Sequence, residues 1–90
     1  MARVDPAILD AYTGIYELED GPSIKVFREG DSILAEFKGQ GTAELFPESE
    51  TRFFIQEADV GISFIKDDTG KVVQLIIHQG GEETPAKKVK

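Results

Sequence analysis

Ninety residues without a single cysteine make one small domain that has neither disulfides nor a thiolate metal site to hold it together. The formal net charge is −7, and with the tail lysines Lys87, Lys88 and Lys90 set aside residues 1–86 carry −10. So acidic a body repels phosphate backbones, no aromatic and basic patch offsets it, and no apolar run approaches the roughly 20 residues of a membrane helix, so neither nucleic acid nor a membrane is expected as a partner.

The opening residues Met1-Ala2-Arg3-Val4-Asp5-Pro6 contain no apolar signal-peptide core. The expectation is a cytosolic protein, or a mature or excised segment restarted with methionine. Asp5 is placed to cap a short helix, and Pro6 suits its first position. Ile8, Leu9 and Tyr12 then share one side, an apolar stripe that must dock on something. Gly14 ends this arm, so residues 1–13 read as an arm with one helix and 14–90 as the body.

Beyond Gly14 the pattern is short strands and turns. Strands are expected near Ile15–Glu19, Ser23–Glu29, Ser32–Lys38, Thr42–Phe46, Arg52–Glu57, Val60–Lys66, Val72–His78 and Glu83–Val89. Each separator, from Asp20-Gly21-Pro22 to Gln79-Gly80-Gly81, carries residues that favour tight turns. Eight strands without a crossover helix mean consecutive antiparallel hairpins, and a meander of that length closes to remove its unpaired edges. The predicted fold is a mainly β, eight-stranded up-and-down barrel with one N-terminal helix.

Val72–His78 is apolar on both faces and is expected in the middle of the fold. Strict alternation puts Val73, Leu75 and Ile77 on one side, and Val72, Gln74, Ile76 and His78 on the other. Ile33, Ala35, Phe37, Phe53, Ile55, Ile62 and Phe64 are the inward residues of other strands. Leu34, Phe54, Ile65 and Ile76 put apolar groups outward and form the candidate interaction surface. The helix is expected to cover part of it, Ile76 in particular, through Ile8 and Leu9.

No catalytic, metal or cofactor site is expected. Ser63-Phe64-Ile65-Lys66 has the Ser-x-x-Lys spacing of penicillin-recognising enzymes, but an offset of three on a strand sends Ser63 and Lys66 to opposite faces. Thr69-Gly70-Lys71 has the wrong order for the matching Lys-Thr-Gly strand. Asp67-Asp68-Thr69-Gly70 is too short for a calcium loop and reads as a hairpin turn. Gly39-Gln40-Gly41 precedes no helix that could hold a phosphate. His78, the sole histidine, allows no two-histidine site, and at a strand end it reads as a structural or rim residue.

Several segments carry a resemblance through their order and spacing: Leu9–Tyr16, Leu45–Phe54, Phe64–Asp67 leading to Gly70-Lys71-Val72, His78–Gly81 and Pro85–Lys88. Together they resemble the small lipocalin-like C-terminal domain that follows β-lactamase-related serine hydrolases and other bacterial hydrolase and peptidase modules. The resemblance implies a barrel appended to an enzyme, often exported or periplasmic, and transfers no catalytic residue. Since no hydrolase domain accompanies it here, the expectation is an excised, stand-alone or engineered domain. Its implied role is non-catalytic, packing on a parent hydrolase or on a second copy as a homodimer. The alternative is a barrel that holds a small apolar ligand, against which the inward phenylalanines and isoleucines count as filling.

Overall fold

The structure is a computed structural model that describes residues 5–19, 21–56 and 58–90. Met1–Val4 of the expected arm, Asp20 of an expected turn and Glu57 at the end of an expected strand lie outside the described residues.

The helix α1 spans Pro6–Tyr12, and its N-cap Asp5 accepts a hydrogen bond from the Ala7 amide at 2.8 Å. The strands are β1 (Gly14–Leu18), β2 (Ser23–Glu29), β3 (Ser32–Phe37), β4 (Gly41–Pro47), β5 (Arg52–Ile55), β6 (Val60–Lys66), β7 (Val72–Gln79) and β8 (Glu82–Lys88). They pair in sequential antiparallel order into a closed barrel, β1-β2-β3-β4-β5-β6-β7-β8. Closure comes from β1 against β8, with Tyr16 opposite Lys88 and Leu18 opposite Ala86. No strand is therefore central, and β7 is covered on both edges because every strand is.

Two backbone devices make the closure possible. Gly80 and Gly81 both take positive φ, 58° and 83°, as a two-residue hairpin matched to right-handed strand twist requires. Gly14 has φ 148°, and a Cβ there would lie 2.2 Å from the carbonyl oxygen of Lys90, so the chain end passes where a side chain would stand.

The core holds Tyr16, Ile24, Val26, Ile33, Ala35, Leu45, Phe53, Ile62, Phe64 and Leu75, contributed by seven strands in alternate positions. On β7 the alternation is interrupted. Ile65 faces Gln74 but Lys66 faces Val72, so Val73 is an extra residue in the ladder. This bulge reverses the expected faces at the start of the strand. Val72 is 3% exposed in the core, whereas Val73 is 36% exposed outside.

The helix goes elsewhere than expected. Instead of lying over Ile76 on the outside of β7, it sits across the barrel end near β2 and sends Leu9 and Tyr12 into the core. The Tyr12 ring stacks on Phe64, with centroids 4.2 Å apart, and meets Phe53 edge-on at 5.8 Å. Its hydroxyl donates to the Glu50 carbonyl, and the Tyr16 hydroxyl donates to the Tyr12 carbonyl at 2.8 Å. Arg28 on β2 pairs with Asp10 at 2.7 Å, tying the exposed side of the helix to the same rim. The physical reason is size: a tyrosine and a leucine fill a barrel end better than they cover a flat, partly polar strand face.

Candidate functional site

The four outward apolar residues are all half-buried and alternate with core residues on their strands. Phe54, Ile65 and Ile76 lie on the adjacent strands β5, β6 and β7. Leu34 does not join them. It sits on β3 between Phe27 and Glu44, with β4 intervening. The pairing registers add two neighbours that the sequence analysis missed, Phe46 opposite Phe54 and Pro85 opposite Ile76. The rings of Phe46 and Phe54 lie 5.8 Å apart across the short β4–β5 seam.

A polar line crosses this face. Ser63 Oγ lies 2.9 Å from His78 Nε2, and His78 Nδ1 lies 3.3 Å from a Glu83 carboxylate oxygen. Three successive strands supply it: Ser63 on β6 is diagonal to His78 on β7, which stands opposite Glu83 on β8. Arg52, opposite Ser63 on β5, extends it and pairs with Glu48 at 3.7 Å. Gly61, between Phe54 and His78, leaves a hollow of about 330 Å³ bordered by Arg52, Phe54, His78 and Glu83. Sequence reasoning saw Ser63 and His78 separately. The signal that joins them is hairpin register: only once Ile62 is set opposite Ile77 do Ser63 and His78 become diagonal neighbours.

The serine, histidine and carboxylate have the connectivity of an acyl-transfer relay, yet the backbone amide that follows the serine is engaged elsewhere. The amide of Phe64, directly after Ser63, donates to the Thr51 carbonyl at 2.8 Å. Lys66 is remote from Ser63 in role, its ammonium standing 5.9 Å from the Tyr12 ring centroid at the helix end. The line joins β6, β7 and β8 across this face.

The aspartate-rich turn is likewise occupied with its own backbone. One carboxylate oxygen of Asp67 accepts from the Thr69 amide at 2.9 Å, the Thr69 hydroxyl at 2.6 Å and the Lys71 amide at 3.1 Å. These bonds hold its pKa below the ordinary aspartate value. At the helix end, burial pushes the phenols of Tyr12 and Tyr16 above their ordinary value, with the Glu50 carboxylate adding to the effect at Tyr12 and Tyr12 adding to that at Tyr16.

The barrel's other end, at the β1–β2, β3–β4, β5–β6 and β7–β8 turns, opens into a second and larger cavity of about 520 Å³.

Comparison with known proteins gives this barrel its context. Penicillin-binding protein 4* of Bacillus subtilis (strain 168) is 38% identical over 88 residues, which cover 97% of this chain but 19% of that protein. The chain therefore spans about a fifth of the length of this curated relative. Residues 2–88 match the family model described as Domain of unknown function (DUF3471), so the chain belongs to the DUF3471 family.

Proposed function

We propose that this barrel is an accessory domain without a reaction of its own, and that it packs against a β-lactamase-related hydrolase domain. The observation that carries the reading is the asymmetry of coverage: nearly all of this chain corresponds to 19% of a penicillin-binding protein. A unit that recurs whole as a minor part of a larger protein is an appended module. Its outer face supplies a docking surface of suitable character, since Phe46, Phe54, Ile65 and Ile76 are apolar, half-buried and contributed by four adjacent strands. The line from Arg52 to Glu83 gives that face polar groups to orient a partner.

The test mixes this chain with the B. subtilis relative cut before its matching segment and follows association by sedimentation velocity. A one-to-one complex is expected. It should be lost in Phe54→Asp and Ile76→Asp, which place a carboxylate in the contact, and retained in Leu34→Asp. Association of this chain only with itself, abolished by the same two substitutions, would replace the hydrolase by a second copy. No association of either kind would defeat the reading.

A further inference from the structure

On β1, β3, β7 and β8 the inward-facing row loses its cover toward the same end, whereas on β2 Ile24 stays fully buried there. On β1, Tyr16 is buried and Leu18 half-exposed; on β3, Ile33 and Ala35 are buried and Phe37 half-exposed. On β7, Leu75 is buried, Ile77 partly so, and Gln79 exposed. Thr84 shares the inward face of β8 with Ala86, which is fully buried, yet is itself exposed. The interior is thus filled most completely at the end that Tyr12, Phe53 and Phe64 close. At the other end it remains open, as the cavity of about 520 Å³ with Ile24 and Ile55 among its lining.

We propose that this mouth is a binding site for a small uncharged molecule with an apolar body and one neutral polar group. Its volume falls within the range of roughly 300–1,000 Å³ typical of small-molecule pockets. Leu18, Phe37, Val60 and Ile77 form apolar walls from four strands. The polar side chains among the described lining residues are amides and hydroxyls, such as Gln79 and Thr84, and none of the described lining residues carries a charge. A charged group entering this wall would lose hydration without finding a counter-ion among the described lining residues. Anions are opposed a second time by the net charge of −7, whose field repels them before contact. The site therefore selects an alcohol, amide or ester over the corresponding carboxylate. It opens at the turn end of the barrel and shares only the rim residues Val60 and Gln79 with the hollow on the outer face of β5–β7.

The experiment titrates the intact chain with N-phenylnaphthylamine, an uncharged dye that fluoresces in apolar surroundings, and displaces it with decanol or decanoate at neutral pH. Dye binding is expected, with decanol displacing at a concentration at least about tenfold below decanoate, a difference that equilibrium titration resolves easily. Ala43→Trp, which fills the mouth from β4, and Thr84→Trp, at an exposed position where folding is not at stake, should each abolish binding. Phe54→Asp should leave it intact. Failure of the dye to bind, binding that survives both tryptophan variants, or binding lost only in Phe54→Asp would overturn the site. Equal displacement by decanoate would overturn the assignment to uncharged molecules.

Discussion

The two ends of the barrel obey the same strand alternation and reach opposite results. At the helix end, Tyr12 lies against Phe53 and Phe64, and Leu9, Tyr12 and Phe53 are at most 2% exposed. At the turn end, Phe37, Ile77 and Leu18 face inward in the same manner but stay half-exposed, because no element crosses above them among the described residues. Eight strands enclose an interior that their own side chains fill only in part. A seven-residue helix completes one half and leaves the other available. The first end is closely packed and the second is open.

Removing residues 1–12 should have the largest effect on this contrast. Leu9 and Tyr12 are both fully buried, and their loss should cost about 3–6 kcal/mol at the usual value for large apolar side chains. Urea unfolding measures it. An unchanged midpoint would mean that the closed end contributes nothing special. Phe64→Ala should cost about 3–5 kcal/mol, while Phe37→Ala, at the open end, should cost about 1 kcal/mol or less. Equal losses in that pair would erase the distinction between the ends.

High pH sharpens the comparison further, since both buried phenols belong to the helix end. Their folded pKa values are raised, so the folded state keeps these protons after the unfolded chain has released them near pH 10. Their contribution is complete below that pH and is lost as pH rises toward the folded values. The decline should approach about 1.4 kcal/mol per pH unit for each phenol still protonated in the fold. Tyr12→Phe should flatten it by one phenol, as read from unfolding midpoints between pH 9 and pH 11. At neutral pH the same substitution should cost only about 1 kcal/mol, the net worth of the hydrogen bond to the Glu50 carbonyl.

The candidate surface was legible only in part. Phe54, Ile65 and Ile76 stand out in the sequence because each interrupts an alternating strand with an apolar residue on the outward side. Leu34 carries the same signal, yet lies apart on β3. Pro85 and Phe46 join the face only through pairing partners. Ser63, His78 and Glu83 are separated by up to twenty positions in the chain, and no local pattern links them.

The sequence by itself determined the elements and their order. Turn residues such as Gly80-Gly81 and the alternation of strands such as Ile33–Phe37 act through local backbone preference, which each segment expresses without its neighbours. Sequential pairing and closure follow, because short turns leave adjacent strands no other partner and an open sheet would keep two bare edges. Tertiary structure alone decided the rest. A stripe of Ile8, Leu9 and Tyr12 requires a docking place without specifying which, and the unfilled barrel end supplied it. The bulge at Val73 arose where β6 and β7 had to accommodate each other, and the meeting of Ser63 with His78 depends on that same register. These are properties of pairs of elements, and the physical reason they escape the sequence is that one residue of slip turns every side chain on a strand to the other face.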